Sequence, residues 1–393
     1  PALLKAFEQS ALQHEATFLA TVVKTQGSTY RRAGARLLMS RRGAIAGLVS
    51  GGCLEADIFE QTQQLTDRSI VLTYDHAAPE DIVCGLGLGC NGMVQVLLER
   101  LTDDLNPLQF VQHCFDRQQS GAIATVIHAP ASLPLGSRLM LYADGTVQHN
   151  LHNEQLRSLL TLDVQTALHQ TSPQLKQYEL AIGQLEVLIE PIHPPLALMI
   201  FGTGADAIPV MQFAKKLGWQ VAIVDCRSNA ATLERFALAD RVLLTRREKL
   251  TEQVSCDRTI AVVMTHNYLD DLEILRLLLH SKARYAGVLG PKRRTQQLLD
   301  ELQIGDWPNQ LYAPLGLDIG ADTPDEIALA IVAEIQAVVC DRTGGFLKHR
   351  QGSIHHANPA SRLDHSGSGS LDPHGHTQAV AHLSEPQPVT AYG

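Results

Sequence analysis

The pattern of apolar and polar positions divides the chain into three regions. Short apolar runs separated by turn residues fill the first 192 residues, and each run has the length of a buried strand. From residue 196 onward, apolar strands alternate with helical patterns, which is the order of a doubly wound parallel sheet. Beyond residue 344, Gly, Ser, His, Pro and Gln dominate without periodicity, so the sequence predicts a disordered tail over 344–393.

Within the first region the order of strands repeats. Each copy has a strand containing Ala-Thr-Val and then a strand that begins with Gly-x-Arg-Leu. The matching runs are Ala20-Thr21-Val22-Val23 and Gly34-Ala35-Arg36-Leu37-Leu38, then Ala124-Thr125-Val126-Ile127 and Gly136-Ser137-Arg138-Leu139-Met140. Both copies close on an apolar strand that ends in a glutamate, Glu99 or Glu190. The sequence therefore predicts an N-terminal αβ domain, 1–192, made of two related half-units over about 15–101 and 118–192. Unlike strand orders would contradict this duplication.

The region 196–342 carries a dinucleotide-type loop and is predicted to be a Rossmann-like domain. Gly202-Thr203-Gly204 stands between an apolar strand and a helix beginning at Ala207, and the next strand ends in Asp225. In this fingerprint the first glycine makes the turn and the second admits a pyrophosphate, while a small third residue lets the helix meet the strand. We expect a phosphate at the helix N-terminus and a ribose hydroxyl on Asp225.

Two further residues extend this candidate site. Arg227 lies two residues after Asp225, and His266 follows the apolar strand 259–264. Because the carboxyl ends of parallel strands face the ligand crevice, both are expected to line it. Arg227 either contacts a phosphate or is a surface arginine. His266 either binds phosphate, acts as an acid or base, or is a capping histidine.

Two glycine-framed cysteines are the strongest candidates for chemistry. They occur in Ser50-Gly51-Gly52-Cys53-Leu54-Glu55 and in Gly87-Leu88-Gly89-Cys90-Asn91-Gly92. Glycine neighbours let both backbone and ligand approach the sulfur. The residues after Cys53 predict a helix start, which places this thiol where the helix dipole favours a thiolate. The second half-unit has no counterpart to either cysteine, and this favours a site over a packing role.

Composition argues against several classes of protein. The chain has 393 residues, a net charge of −9 and no basic stripe, so a nucleic-acid surface is not expected. Its seven cysteines, an odd number, fit reduced thiols better than a disulfide framework. The first residues lack a signal-peptide pattern, and no apolar run approaches the roughly 20 residues that span a bilayer. We therefore expect a cytoplasmic protein without a membrane or nucleic-acid partner.

Together these motifs resemble the XdhC/CoxI family of xanthine dehydrogenase accessory factors, over about residues 1–342. The resemblance rests on the two cysteine motifs and on six stretches of the second domain. These stretches are Gly202-Thr203-Gly204, Val224-Asp225-Cys226-Arg227, Met264-Thr265-His266, Gly287 to Arg293, Gly316 to Ala321, and Thr323 to Ala328. It implies a chaperone that binds the molybdenum cofactor and assists exchange of a metal oxo ligand for sulfur with a cysteine desulfurase. It also implies delivery of the cofactor to an apo molybdenum hydroxylase of the xanthine dehydrogenase type.

The resemblance also implies roles for the candidate residues. Cys53 is the expected principal contact to molybdenum or to transferred sulfur, with Cys90 its partner and Glu55 orienting it or accepting a proton. The expected cofactor-binding set is Ser50, Gly51, Gly52, Cys53, Gly202, Thr203, Gly204, Asp225, Arg227 and His266. The glycine loop would hold the phosphate end of the cofactor, a molybdopterin with or without a nucleotide. Thiolates suit this chemistry because they are soft metal ligands and can carry sulfur as a persulfide. A homodimer is consistent with a long crevice between domains.

Two other functions fit part of the sequence. An NAD(P)-dependent oxidoreductase would place Asp225 on the adenosine ribose and His266 near the hydride, but it gives the paired cysteines no role. A thiol-based sulfurtransferase would cycle Cys53 and Cys90, and it overlaps the chaperone interpretation if sulfur transfer is direct. Tight NADH binding with turnover would favour the oxidoreductase.

Overall fold

The computed structural model describes most of the chain up to residue 350. The described residues are 2–13, 15–27, 29–52, 54–65, 68–75, 92–227, 229–253 and 259–350. Cys53, Cys90 and most of the predicted tail therefore lie outside the described residues. Residues 344–350, which the sequence assigned to the tail, are described and contain a short 3-10 turn at Leu347–His349.

The first half-unit is an antiparallel sheet with two described helices. Its strands are β1 (Thr17–Gly27), β2 (Arg36–Ser40), β3 (Gly43–Gly47), β4 (Ser69–Asp75) and β5 (Gly92–Arg100), and its helices are α1 (Ala2–Leu12) and α2 (Glu55–Gln64). The strand order is β3-β2-β1-β5-β4. Leu54 and Ile58 bury their side chains in the core formed with β1, β2 and β5.

The second half-unit repeats this arrangement. Its strands are β6 (Gly121–His128), β7 (Arg138–Leu141), β8 (Val147–His149), β9 (Gln174–Leu180) and β10 (Gly183–Ile192), with helices α3 (Pro107–Asp116) and α4 (Glu154–Ala167). The strand order, β8-β7-β6-β10-β9, is that of the first sheet element by element. The two half-units therefore have the like strand orders that a duplication requires.

The two sheets also share their irregularities. Pairing of β1 with β5 shifts at Val23, and pairing of β6 with β10 shifts at Ile127, the residue that matches Val23 in the repeat. Just before each shift, a backbone N–H donates to a carbonyl oxygen in the middle of the Gly-x-Arg motif. Val22 donates to Ala35 and Val126 donates to Ser137, both at 2.8 Å. Equal bulges in equal places show that the repeat extends to backbone detail.

The two half-units share a small apolar core, and two ion pairs also join them. The core contains Val23, Leu97, Ile127 and Leu188, two residues from each half-unit. Arg36 of the first half-unit pairs with Glu190 of the second at 3.0 Å. Arg138 of the second pairs with Glu99 of the first at 2.6 Å. Because Arg36 matches Arg138 and Glu99 matches Glu190, the interface has approximate two-fold symmetry.

The remaining strands form a parallel sheet. They are β11 (Ala197–Phe201), β12 (Gln220–Asp225), β13 (Arg241–Leu244), β14 (Ile260–Val263), β15 (Tyr285–Val288) and β16 (Leu311–Tyr312), in the order β13-β12-β11-β14-β15-β16. The strand order reverses between β11 and β14, which is the switch point of a Rossmann-like sheet. The sequence predicts this sheet but not β16, whose two residues are too few to form an apolar run.

Helices cover both faces of the parallel sheet. They are α5 (Ala207–Lys216), α6 (Ala231–Arg235), α7 (Leu250–Gln253), α8 (Tyr268–His280), α9 (Lys292–Glu301) and α10 (Pro324–Val339). Helix α10 begins at Pro324, where Thr323 caps it and Glu326 completes a capping box. Separate apolar clusters fill the two sides of the sheet. Among the described helices, none combines the length and apolar character that a membrane span requires.

Candidate functional site

The first candidate site is the turn that connects β3 to α2, and it contains the Ser-Gly-Gly-Cys motif. Gly51 and Gly52 are exposed, and Gly52 has a φ of +110°, which favours glycine at this position. Helix α2 begins at Glu55, as the sequence predicts. The ring of Tyr30 lies over Gly51, where an added Cβ would be 3.8 Å from the ring. An added Cβ at Gly51 would therefore make an ordinary van der Waals contact with the Tyr30 ring.

Ser50 and Glu55 tie the two ends of this turn together. The Glu55 carboxylate accepts N–H groups from Val49 at 3.1 Å and from Ser50 at 2.8 Å, and it also accepts the Ser50 hydroxyl. The same hydroxyl oxygen accepts the N–H groups of Gly52 and Leu54, both at 3.1 Å. Backbone on both sides of position 53 is therefore fixed by one serine and one carboxylate.

The same contacts set the protonation state of Glu55. Burial acts to raise the pKa of this carboxyl, but the hydrogen bonds from the Ser50 hydroxyl and from the N–H groups of Ser50 and Val49 outweigh it. The net pKa lies below its ordinary value. Glu55 is therefore ionised at neutral pH with its oxygens engaged in the turn, which suits positioning better than proton transfer.

The second half-unit shows what this turn replaces. After the β2–β3 hairpin, the N–H of Leu48 donates to the carbonyl of Arg36. After the β7–β8 hairpin, the N–H of Asn150 makes the matching bond to the carbonyl of Arg138. The chain then takes eight residues from Val49 to Asp57 but twelve from Leu151 to Asp163, and each aspartate accepts a hydrogen bond from a tyrosine of its edge strand. The four additional residues are about one helical turn. The glycine–cysteine turn thus stands where the second half-unit has the first turn of α4.

A tyrosine–aspartate pair supports this alignment of the two helices. Tyr74 on β4 donates to Asp57 on α2 at 2.6 Å, and Tyr178 on β9 donates to Asp163 on α4. Each pair joins the edge strand of its sheet to the helix that covers it. No sequence motif marked these residues in advance.

Basic residues lie near the cysteine turn. Arg31 and Arg32 follow Tyr30 in the same loop and are exposed. Burial, and then the nearby charge of Arg342, lowers the pKa of Arg32. Arg342 follows α10, so the parallel-sheet region contributes positive charge beside this loop of the first half-unit. Two neighbouring guanidinium groups favour an anion in this region.

The second candidate site is the glycine loop after β11. Gly202 has a φ of +133°, and a Cβ at this position would lie 2.3 Å from the carbonyl oxygen of Met264. At Gly204, a Cβ would lie 2.2 Å from Oδ1 of Asp206. Oδ2 of Asp206 lies 2.7 Å from Nε2 of His266, whose φ of 57° is unusual for a non-glycine residue. The sequence motif pointed to both glycines and to His266 but not to Asp206.

Asp225 lies at the carboxyl end of β12 and is only 2% exposed. Its carboxylate accepts the N–H of Arg227 at 2.9 Å, the N–H of Asn229 at 3.2 Å and the hydroxyl of Thr232 at 2.6 Å. These are all contacts within its own turn and the helix that follows. The expectation that Asp225 holds a ribose hydroxyl stays a prediction, and these contacts leave it little capacity for a ligand.

The crevice between these residues is narrow. Gly202, Thr203, Asp225, Arg227, Thr265 and their neighbours line a cavity of about 10 Å³, roughly the space of one water molecule. The guanidinium of Arg227 donates to the carbonyl of Thr265 at 3.1 Å across it. Burial, then Asp270 and Asp225, raises the pKa of the Cys226 thiol to about 12, so this thiol stays protonated.

Two aspartates, Asp270 and Asp271, lie in the first turn of α8. Both side chains are buried. Asp270 pairs with Arg247 at 3.1 Å, and Asp271 pairs with Arg294 at 2.5 Å. Within the described ranges, no group of three or more His, Cys, Asp or Glu side chains could hold a metal ion.

The fold and sites together define a protein with a duplicated antiparallel domain that bears a cysteine turn, followed by a Rossmann-like domain. A family model for the XdhC Rossmann domain matches residues 198–335, and one for the XdhC and CoxI family matches residues 10–75. A Bacillus subtilis protein named as a probable xanthine dehydrogenase subunit is 33% identical over 325 residues, covering 82% of this chain and 92% of that protein. The chain belongs to the XdhC and CoxI family.

Two further relatives extend the comparison. The molybdenum cofactor insertion chaperone PaoD of Escherichia coli is 24% identical over 343 residues, covering 86% of this chain and 87% of that protein. A crystal structure described as a xanthine dehydrogenase from Bacillus halodurans superposes with a TM-score of 0.73 at 28% identity. The superposition covers 87% of this chain and 97% of that one.

Proposed function

We propose that this chain is an accessory factor for a molybdenum hydroxylase of the xanthine dehydrogenase type. In this proposal it binds the molybdenum cofactor at the Ser50–Glu55 turn, assists its sulfuration and delivers it to the apo hydroxylase. Family membership and the name of the PaoD relative, a cofactor insertion chaperone, support the class of function. The residues assigned to the site are the proposal's own.

The observation that carries the proposal is the preset turn around position 53. Five hydrogen bonds from or to Ser50 and Glu55 hold the backbone on both sides of this position. Such rigidity is costly unless it positions something, because glycines lose more conformational entropy on ordering than other residues. A cysteine at the N-terminus of α2 is the group that this arrangement would present.

The chemistry of the residues fits the group that they would hold. The cofactor is a pterin dithiolene with a phosphate, and it would supply a sulfur-rich molybdenum centre. A thiolate at Cys53, with Cys90, is the soft donor that such a centre accepts. The positive charge of Arg31, Arg32 and Arg342 supports an anionic ligand beside this loop.

Uptake of sulfur by this chain, the first part of sulfuration, would use the same thiol. The Cys53 thiolate attacks the outer sulfur of a persulfide on a cysteine desulfurase, and a new S–S bond forms as the donor's cysteine thiolate leaves. The exchange consumes no external oxidant or reductant. Glu55, which is ionised and bound within the turn, keeps Cys53 positioned in this step rather than accepting a proton.

Anaerobic native mass spectrometry of the protein from cells that make molybdenum cofactor tests this function. Wild type and Cys226→Ala, a control that removes a protonated thiol in the other domain, are expected to carry a pterin–molybdenum adduct. Cys53→Ala is expected to lose it while remaining folded by circular dichroism. Full occupancy in Cys53→Ala would rule out Cys53 as a ligand, and the absence of any adduct from wild type would contradict the chaperone function.

A further inference from the structure

The glycine loop after β11 has the dinucleotide fingerprint, yet internal contacts engage each of its special residues. At Gly202 the missing side chain makes room for the backbone carbonyl of Met264, the residue that follows β14. A backbone atom of a buried central strand cannot move aside, so glycine is required here by the packing of two strands. This requirement holds whether or not a ligand is present.

The second glycine lies beside a side chain of the same loop. In a nucleotide-binding sheet this glycine lets a pyrophosphate approach the helix N-terminus. Here the space above Gly204 holds the carboxylate of Asp206, the residue directly before α5. In the described helix α5, no N–H group donates to this carboxylate, so the helix dipole alone favours its charge there.

His266 holds this carboxylate in place. Its Nε2 lies 2.7 Å from Asp206 Oδ2, and its ring also lies over Gly204, with Cδ2 at 3.6 Å from an added Cβ. The left-handed backbone of His266 costs energy, and such outliers persist where surrounding contacts determine them.

The third element of the fingerprint is the acidic residue at the end of β12. Three donors from the following turn engage the Asp225 carboxylate, and its exposure is only 2%. These contacts and this burial leave the carboxylate little capacity for a ribose hydroxyl. With the Arg227–Thr265 contact in place, the cavity here has a volume of about 10 Å³, which is smaller than a nucleotide.

We infer that the glycine loop of this Rossmann-like domain is closed to nucleotides, with Asp206, held by His266, occupying the place of a ligand phosphate. The inference goes beyond the proposed function and stands without it, because these contacts do not involve the cysteine turn. It does change one expectation drawn from the sequence. The phosphate end of any cofactor belongs beside the cysteine turn and its arginines, not at Gly202.

Isothermal titration calorimetry on the full chain tests the inference, with inorganic pyrophosphate and NADH as probes. Wild type is expected to bind neither. Asp206→Ala removes the internal carboxylate, and its affinity for pyrophosphate is expected to rise at least about tenfold. Asp325→Ala is the matched control, because it also removes a carboxylate from the start of a helix, α10.

The outcomes separate clearly. Wild-type binding of NADH or pyrophosphate, or an Asp206→Ala protein that binds pyrophosphate no better than wild type, would overturn the inference. Thermal unfolding checks that the variant is folded, and Asp206→Asn, which keeps the shape but not the charge, replaces it if it is not. Failure of the proposed function would instead appear as the absence of a pterin–molybdenum adduct, which these titrations do not measure.

Discussion

The guanidinium of Arg138 donates to the carboxylate of Glu99 at 2.6 Å, across the interface of the two half-units. Both side chains are largely buried. Arg36 and Glu190 form the same pair with the half-units exchanged. Each arginine also donates to the carbonyl of the glycine two residues before it, Gly34 or Gly136. The duplicated chain has thus kept the arginine–glutamate ion pair twice, and each ion pair joins one half-unit to the other.

Removal of one partner from this interface is expected to be strongly destabilising. Arg138→Met leaves the Glu99 carboxylate buried without its cation, and we expect a loss of about 3 kcal/mol in the free energy of unfolding. Urea denaturation at neutral pH measures it. The double variant Arg138→Met/Glu99→Leu removes both charges and is expected to recover much of that loss, because a buried ion pair is often no better than an apolar replacement.

An exposed ion pair provides the control for this prediction. Arg157→Met breaks the pair with Glu154 on the surface of α4 and is expected to change stability by less than about 1 kcal/mol. Equal losses for Arg138→Met and Arg157→Met would show that burial of the interface pair does not matter.

The architecture could be predicted from the sequence because it depends on apolar runs and turn residues. The repeat was visible through Arg36 and Arg138, and the strand orders agree with it. The partners of these arginines could not be predicted, because Glu99 and Glu190 are distant in sequence and only the packing of two sheets brings them near.

At the candidate sites, the sequence motifs predict the local fold better than they predict the ligand. The helix start after Cys53 followed from local pattern, and α2 begins at Glu55. The fingerprint at Gly202 also predicted the correct local fold. The ligand expected at this loop stays a prediction, because a glycine can admit either a phosphate or the Asp206 side chain. The sequence signal that could have raised this alternative is a carboxylate directly before the helix.

Glu55→Gln is expected to destabilise the cysteine turn at neutral pH and to have a smaller effect at acidic pH. The pKa of Glu55 is lower in the folded protein than in the unfolded chain. The carboxylate therefore contributes stability at pH values above its pKa in the unfolded chain, and this stability is lost as the pH falls through its pKa in the folded protein. At pH 7 we expect a loss of about 1–2 kcal/mol in the free energy of unfolding. Urea denaturation at neutral pH and at a pH of about 3.5 should show this difference shrinking at the lower pH.

The control for this prediction is Glu60→Gln on the exposed side of the same helix. It removes one carboxylate from α2 without touching the turn, and it is expected to change stability by less than about 0.5 kcal/mol at either pH. A Glu55→Gln deficit that stays constant between the two pH values would contradict a carboxylate whose ionised form is held by hydrogen bonds.

Asp225→Asn is expected to affect stability rather than ligand binding. The substitution weakens contacts to Arg227, Asn229 and Thr232, and we expect a loss of about 2 kcal/mol, measured by thermal unfolding. The exposed Asp306→Asn serves as control and should leave stability unchanged. A variant as stable as wild type that has lost affinity for NADH would contradict this role and restore Asp225 as a ribose ligand.

Tyr74→Phe and Tyr178→Phe are expected to cost similar and additive amounts of stability. Each removes one hydrogen bond between an edge strand and its helix, to Asp57 or Asp163, worth about 1 kcal/mol. Burial, and then the neighbouring aspartate, raises the pKa of both phenols, so both remain donors throughout the neutral range. Urea denaturation of the two single variants and the double variant measures the costs.

Additivity is the informative part of this experiment. The pairs share no partner, so the cost in the double variant should equal the sum of the single costs within about 0.5 kcal/mol. Tyr30→Phe, an exposed tyrosine of the first half-unit, is the control and should change little. A cost at Tyr74 without one at Tyr178 would mean that α2, which begins at the cysteine turn, depends on its tyrosine contact while the longer α4 does not.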